Sequence, residues 1–438
     1  PALPLGKGLV LAVLMGVLIA AGLLMVPLLE NYAASGVLLT AIILFSLFYK
    51  GLVDNNPLIT ILVITQFTIS FQAQKRATVG DPAPMDEGAV ALYTLRREIM
   101  GAGYGIIDND LTACRIQAHE ARPDTPATAR DFSFSIYPVL IDQGAAGAPD
   151  TITVNYSSSP MMATATMLIQ DFPGDEATNL KLTSRYGFNP GDVIIVADSP
   201  KRNPARDCSM YQVTKLPSDS ENINAVEHHY EMYTNITGSV VPSRFNKAGG
   251  LGITIGGSVK GGAKFEPNKA KVFNLGPNPV SNAYTVQNNQ LIFTEGLSGT
   301  STVLLDNVVA FHAQFGIDAR VGTQTDLQVP AQNFVQGAGG FSDSLILDGA
   351  GNTIDADGNG VAGDSGDWLR VGAVRIAIVV RNRQPEINPD GSCSATTATP
   401  SWGWGSVVSS ALSVDWQCYK YKVFESVVPL RNMMWRPS

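Results

Sequence analysis

The chain has 438 residues, of which 16% are charged and 45% hydrophobic, and it carries a net charge of −8 at neutral pH. This length supports two or three folded units with buried cores. Only four charged residues precede residue 73 and their charges cancel, so the net charge lies in residues 73–438. Because phosphate backbones are bound through basic side chains, an acidic body without a basic stripe excludes a nucleic-acid partner.

The front of the chain has the composition of a membrane segment. Residues 8–29 are uncharged and mostly apolar, and as a helix they would be about 33 Å long, enough to span a bilayer. Shorter apolar runs follow at residues 33–49 and 57–71. We predict a transmembrane region of one to three helices over residues 1–72, in contact with membrane lipid, with the later runs forming a buried hairpin or an interfacial segment as the alternative. The first run is too long for a cleavable signal peptide.

Residues 73–105 are predicted to contain an amphipathic helix over Met85–Gly105. Its apolar positions recur at spacings of 3, 4 and 3, which places them on one helical face: Leu92, Leu95, Ile99 and Ala102. Acidic residues open the segment, arginines lie towards its end and three glycines follow, as expected for a helix with a defined end.

Residues 106–438 are predicted to form a periplasmic or extracellular antiparallel β domain. Runs rich in β-forming residues are bounded by Gly, Pro, Asn or Asp: Phe132–Tyr137, Thr151–Tyr156, Val193–Ala197, Met210–Leu216, Tyr230–Tyr233, Val303–Phe315, Val371–Val380 and Tyr419–Val428. Tyr284–Phe293 has the pattern of a hairpin whose turn residues, Asn288 and Asn289, tolerate positive φ. Two glycine-rich stretches, 248–264 and 390–405, are predicted to be long surface loops.

The predicted fold class is therefore α+β. Membrane-embedded N-terminal helices are followed by one helix that packs on an antiparallel β-sheet with long loop insertions.

One acidic loop, residues 355–367, has the spacing of an EF-hand-type calcium loop. Asp355, Asp357 and Asn359 occupy positions 1, 3 and 5, a glycine occupies position 6, and Val361 offers its backbone carbonyl at position 7. Position 12 is glycine instead of glutamate, so the remaining ligand would come from Asp364 or Asp367. We predict a calcium site here, and a solvated Asp/Gly/Asn turn is the alternative.

The four cysteines contain no C-x-x-C pair and have no zinc-ribbon spacing. We predict the disulfides Cys114–Cys208 and Cys393–Cys418, since a domain held outside a membrane lies where disulfides persist. Reduced, buried thiols are the alternative.

The catalytic motifs of serine hydrolases, P-loop proteins, zinc peptidases and dinucleotide-binding enzymes are missing from the sequence. We therefore expect neither enzymatic activity nor a small-molecule substrate.

Five stretches in order resemble the PilW-like minor pilins of type IV pili: LRREIMGAGYG at 95–105, DCSMYQVTKL at 207–216, LLDNVVAFHAQFGID at 304–318, DWLRVGAVRIAIVVR at 367–381 and YKYKVFESVVPLRNMMWRP at 419–437. The resemblance extends over residues 72–438. It implies a pilin-type fold, no enzymatic activity, and a role in priming or capping pilus assembly beside other minor and major pilins. The implied location is the inner membrane, with the soluble domain in the periplasm or, after assembly, at the pilus tip or cell surface.

The first 65 residues depart from that family pattern. Leu5 stands where the family has the glutamate of its membrane helix, so processing by prepilin peptidase is not carried over. This segment is faintly similar to parts of aromatic-acid exporters. The sequence is compatible with three origins for it: a fusion, a gene-boundary error, or a membrane-retained relative of the pilins. A type II secretion pseudopilin, a membrane-anchored surface adhesin and a transporter-linked periplasmic binding domain are the alternative functions.

Overall fold

The computed structural model describes residues 83–434 except for short gaps at 127–128, 161–164, 203–204, 219–222, 319, 321–327, 330–333, 338–345, 348–353 and 389. The predicted transmembrane region, residues 1–72, lies outside the described residues. Among the helices that the structure describes, none combines the length and apolar character needed to cross a bilayer. The described chain is rich in β-structure and contains few helices.

The predicted amphipathic helix is present as α1, Ala83–Gly101. Leu95, Ile99 and Ala102 are fully buried and Leu92 is half-buried, as the spacing predicts. The helix ends earlier than predicted, because residues 102–106 form turns in which Gly103 and Gly105 adopt positive φ.

A six-stranded sheet has the spatial order β2, β1, β8, β7, β14, β5, with strands numbered in chain order. These strands are Arg130–Ser135, Arg115–Glu120, Cys208–Gln212, Val193–Asp198, Ala270–Gly276 and Thr166–Met167. The prediction of an antiparallel sheet is wrong at one pair: β1 and β8 run parallel, with Ile116 opposite Cys208. The central strand β7 is buried throughout, and its alternating side chains enter two separate apolar clusters.

A second, five-stranded sheet has the order β17, β16, β15, β4, β3. These strands are Ser301–Asp306, Gln290–Glu295, Val280–Gln287, Thr151–Tyr156 and Val139–Asp142. The predicted hairpin joins β15 to β16, and Asn288 and Asn289 have φ values of 52° and 60°. The turn chemistry of the two asparagines is therefore confirmed.

A third sheet has the order β20, β19, β18, β21, β24. These strands are Ile346–Leu347, Phe334–Gly337, Val308–Ile317, Val371–Arg381 and Tyr421–Pro429. The prediction of a single strand over Val303–Phe315 is wrong. Asn307, at a φ of 60°, divides this run into β17 and β18, which belong to different sheets.

Four two-stranded ribbons, two short α-helices and three 3-10 helices at Ala145–Gly147, Ser409–Ala411 and Trp416–Cys418 complete the described elements. The ribbons pair β6 with β9, β10 with β11, β12 with β13 and β22 with β23. These strands are Leu180–Lys181, Ala225–Val226, Met232–Thr234, Val240–Pro242, Thr254–Ile255, Ser258–Val259, Ser401–Trp402 and Gly405–Ser406, and the helices are α2, Ser365–Trp368, and α3, Arg431–Met434. Each predicted glycine-rich loop thus carries a short ribbon.

The largest apolar cluster lies between α1 and the strands of the second and third sheets. Gly88 of α1 faces the ring of Phe424 on β24, and a Cβ at Gly88 would lie 2.4 Å from Phe424 Cε2. At the far end of α1, Asn432 of α3 donates from Nδ2 to the carbonyls of Gly101 and Ala102, at 3.1 and 3.0 Å. The helix is thus fixed along its length and at its C-terminal end.

Candidate functional site

The acidic loop precedes and includes most of α2. Asp355, Asp357 and Asp367 come together there, with carboxylate oxygens that all lie within 4.8 Å of one another. Three carboxylates at this separation repel one another unless a cation or hydrogen-bond donors compensate them. The structure therefore brings three of the predicted ligand side chains together.

Backbone N–H groups of the loop surround Asp355. Its carboxylate accepts from Gly358 and Gly360, each at 2.7 Å, and both glycines adopt positive φ. The backbone donors, Gly360 first, lower the pKa of Asp355. The carboxylate is therefore ionised at neutral pH.

Asp367 is the buried member of the group, with none of its surface exposed. It accepts hydrogen bonds from the backbone of Ala356, Asp357 and Gly363. Burial raises the pKa of Asp367, although these bonds act in the opposite direction. Asp367 thus holds both ends of the loop together from inside the fold.

The other predicted ligands lie in the same loop with different contacts. Asp364 caps the N-terminus of α2 by accepting from the backbone of Gly366 and Asp367. Asn359 donates from Nδ2 to Asp357 Oδ2 at 3.1 Å and to Asp364 Oδ2 at 2.9 Å. The Val361 backbone N–H donates to Asn359 Oδ1 at 2.7 Å.

The glycine at position 12 has a steric reason. A Cβ built on Gly366 would lie 1.9 Å from Asp357 Oδ2. A glutamate side chain at this position would therefore displace one of the converging carboxylates.

Trp368 anchors the loop to the core, a role that the sequence reasoning missed. Its indole is 1% exposed and lies 4.2 Å from the ring of Tyr137 and 5.4 Å from that of Phe315, between ring centroids. A tryptophan directly after a run of small and acidic residues was the available signal.

Both predicted disulfides are present. Cys114 and Cys208 have Cα atoms 6.1 Å apart, and those of Cys393 and Cys418 are 4.5 Å apart. The first bridge lies where β1 and β8 run side by side, and the second closes the segment that carries the β22–β23 ribbon. No free cysteine is left in the chain.

A buried histidine lies in an aromatic cluster outside the acidic loop. His228 is 2% exposed, and its ring lies 5.2 Å from Phe172 and 4.8 Å from Tyr211. Burial, followed by the charge of neighbouring His229, lowers the pKa of His228 to about 4, and nearby Asp175 and Glu176 oppose this shift. His228 is therefore neutral in the folded protein at neutral pH.

The lowered pKa of His228 predicts that the folded protein loses stability in mild acid. In the unfolded chain a histidine takes up its proton near pH 6.5, whereas folded His228 does so only near pH 4. Between these values the unfolded state binds more protons, so stability falls as the pH falls. We expect His228 to reduce the free energy of unfolding by about 2 kcal/mol between pH 7 and pH 5.

Urea unfolding at both pH values would measure this effect. His228→Phe should remove most of the pH dependence, whereas His229→Gln at the adjacent, half-buried position should retain it. An equal pH dependence in wild type and His228→Phe would contradict the assignment.

Residues 280–432 match the family model for the type IV pilus-assembly protein W, PilW. No curated protein and no solved structure matches the chain. Of the five stretches that carry the resemblance, those at 304–318, 367–381 and 419–437 fall in or overlap the matched range, while those at 95–105 and 207–216 precede it. The match indicates a role related to type IV pilus assembly.

The matched residues include β17, β21 and β24, which contact α1, and the whole acidic loop. They run from the start of β15 into α3, and β21 and β24 within them pack directly on the helix. By this match the chain is a PilW-like protein over residues 280–432.

Proposed function

We propose that this protein is a minor pilin of the type IV pilus system, which primes or caps pilus assembly through non-covalent contacts with other minor and major pilins. The observation that carries the proposal is the PilW match over residues 280–432. Helix α1 precedes this range and packs on β21 and β24 within it, which supplies a packed body for such contacts. The proposed mechanism requires no covalent chemistry.

The proposed location is the inner membrane, with the β-rich domain in the periplasm. The apolar run at residues 8–29 would retain the protein in the bilayer. The two disulfides support an oxidising compartment, since such bonds are rare in the cytosol.

The outer face of α1 is the surface that we assign to subunit contact. Val90 and Tyr93 are 64% and 68% exposed there, and the Arg97 side chain on the same face is 73% exposed. Tyrosine and arginine are enriched among the residues that dominate binding energy in interfaces. Val90 adds apolar surface that binding of a partner subunit would remove from water.

Co-purification from detergent-solubilised membranes tests this assignment. We expect pilus minor subunits to accompany the wild-type protein, and Tyr93→Asp to lower their recovery by roughly a factor of ten or more. Tyr186→Asp is the matched control, because Tyr186 is an equally accessible tyrosine, 77% exposed. Recovery of secretion-system subunits instead would favour a type II secretion pseudopilin, and equal recovery with Tyr93→Asp would contradict the assigned surface.

We further propose that the acidic loop binds calcium as a structural ion. Two oxygens bound to one Ca²⁺ at 2.3–2.6 Å are at most about 5 Å apart, and the three carboxylates already lie within 4.8 Å of one another. Carboxylate, amide and carbonyl oxygens are the donors that Ca²⁺ prefers. Asp355, Asp357 and Asp367 would hold the ion, with Asp364 beside them. The Val361 carbonyl oxygen would be a further ligand. Asn359 would be another after its side-chain amide rotates so that Oδ1 faces the ion.

Thermal melting with and without calcium checks this proposal. A ligand that binds only the folded state stabilises it by about 2.7 kcal/mol at a hundredfold excess over Kd, which is expected to raise Tm by a few degrees. Asp357→Asn should abolish the increase. Asp390→Asn should preserve it, because Asp390 is an exposed carboxylate that accepts from Ser392 in a separate turn. A Tm that does not respond to millimolar calcium would refute the site.

A further inference from the structure

Strand β24 has a free edge along its length. It is the last strand of the third sheet, and among the described residues it pairs with β21 alone. The other edge strands of the three large sheets have two to six residues, whereas β24 has nine. Natural proteins keep edge strands short or cover them, because an open edge pairs with other chains. The longest of these edges is therefore the one most able to accept another strand.

The backbone groups of β24 alternate between bonded and free. The Leu430 N–H donates to the Gly372 carbonyl at 2.9 Å, and from this pair the register of β21 and β24 continues without a shift. In an antiparallel ladder, hydrogen-bonded and non-bonded pairs alternate, so the odd-numbered residues of β24 direct their N–H and C=O groups away from β21. Within the part of the chain that the structure describes, the outward backbone groups of Val423, Glu425 and Val427 have no backbone partner.

The two charged side chains of β24 are held on the faces of the sheet. Lys422 lies over the ring of Phe424 on its own strand, with Nζ 5.2 Å from the ring centroid. Glu425, on the opposite face, accepts a hydrogen bond from the Gly403 N–H at 2.9 Å. Val427, further along the strand, is 55% exposed. Charged side chains that guard an edge would instead face an incoming strand.

We propose that the free edge of β24 binds an extended segment of a partner subunit as an additional antiparallel strand. In this mode of recognition, backbone hydrogen bonds supply affinity and alternate side chains supply specificity. The complementary segment has a basic residue opposite Glu425, an acidic residue opposite Lys422 and β-branched residues opposite Val423 and Val427. Opposite charges and apolar pairs at facing positions stabilise neighbouring strands.

The position of β24 connects this edge to the proposed function, on which the identity of the partner as a pilus subunit rests. β24 lies within the residues that match PilW, and it packs on α1. The outer face of α1 is the surface assigned above to subunit contact. A strand added to β24 would therefore extend the third sheet beside that surface.

Fluorescence anisotropy of a fluorescein-labelled peptide, TVTKYVET, measures strand binding to the full chain in detergent. When the peptide runs antiparallel to β24, its lysine stands opposite Glu425 and its glutamate opposite Lys422. We expect saturable binding. N-methylation of the peptide N–H groups that face β24 should weaken it by about a hundredfold or more, since each lost hydrogen bond costs up to about tenfold in affinity.

Exchange of the two peptide charges tests the predicted side-chain pairing. In the peptide TVTEYVKT, glutamate faces Glu425 and lysine faces Lys422. Like charges at facing positions are destabilising, so this peptide should bind more weakly by about threefold or more. Equal binding of the two peptides would overturn the assigned register and partner chemistry.

Proline substitutions on two different edges separate loss of the site from loss of the fold. Val427→Pro removes an N–H that does not bond to β21, so the sheet should be retained while the affinity for TVTKYVET falls by about tenfold. Val303→Pro is the matched control, because Val303 is a 47% exposed valine on β17, an edge strand of the second sheet. This variant should bind the peptide like the wild type.

The proposal is overturned if TVTKYVET does not bind, if its N-methylated form binds equally well, or if Val427→Pro binds it like the wild type. A dimer of the chain that excludes the peptide and dissociates in Val427→Pro would assign the edge to a second copy, and would also overturn it. Peptide binding by a protein that recovers no pilus subunits would support the strand site and contradict the role in pilus assembly.

Discussion

Replacing Cys114 and Cys208 together by alanine is expected to lower the free energy of unfolding by roughly 4–5 kcal/mol. The bridge joins residues separated by 94 positions, and the entropy that a disulfide removes from the unfolded chain increases with the length of the closed loop. It also lies beside the parallel pair β1–β8, in which Ile116 is opposite Cys208. Without the bridge, this non-local pairing would depend on packing alone.

The second disulfide is the matched control. Cys393 and Cys418 are separated by 25 positions, so their joint replacement by alanine should cost less, roughly 3–4 kcal/mol. Urea unfolding of the two double variants and of the wild type gives both values. An equal or smaller loss for the Cys114–Cys208 pair would show that loop length does not determine the contribution of these bridges.

Trp368→Ala is expected to reduce the free energy of unfolding by about 3–5 kcal/mol. The side chain is 1% exposed and packs on the rings of Tyr137 and Phe315 within the largest apolar cluster. Its removal leaves a cavity and separates the acidic loop from the core. The increase in Tm with calcium should therefore also diminish in this variant.

Trp368→Phe tests how much of this loss comes from ring packing. Trp368 Nε1 has no hydrogen-bond partner among the described residues, so phenylalanine removes an unpaired donor and the smaller part of the ring system, and keeps one six-membered aromatic ring in the core. We expect Trp368→Phe to cost less than half as much as Trp368→Ala in urea unfolding. Equal losses for the two variants would contradict the proposed role of ring packing.

Local patterns in the sequence were sufficient to predict several elements. The spacing of Leu95, Ile99 and Ala102 predicts the buried face of α1, because side chains three and four positions apart lie on one side of a helix. Asn288 and Asn289 predict the β15–β16 turn, since asparagine tolerates the positive φ that the turn requires. Both features depend only on residues that are close in sequence.

Other elements were missed because their local patterns are weak or misleading. β1, Arg115–Glu120, carries four polar or charged residues and was not predicted, yet Ile116 and Ala118 are buried by strands from distant parts of the chain. The uniform β-forming composition of Val303–Phe315 concealed the break at Asn307. Tertiary packing overrides local preference at these positions.

The acidic loop was predicted only in part for the same reason. Its spacing predicts the convergence of Asp355 and Asp357, but the burial of Asp367 depends on a fold that the spacing does not encode. The close approach of Asp357 to Gly366 is likewise a three-dimensional contact. A cavity beside the loop is the feature least accessible to local patterns, because residues as far apart in sequence as Asp110 and Ser365 line it.

The most direct test of the proposed role is the number of surface pili on cells that lack this protein. Deletion of its gene in the native host should reduce the pili counted by electron microscopy and the pilin recovered by shearing. The full-length chain should restore both quantities, and the Tyr93→Asp variant should restore them poorly. Undiminished piliation in the deletion strain would contradict a role in pilus assembly.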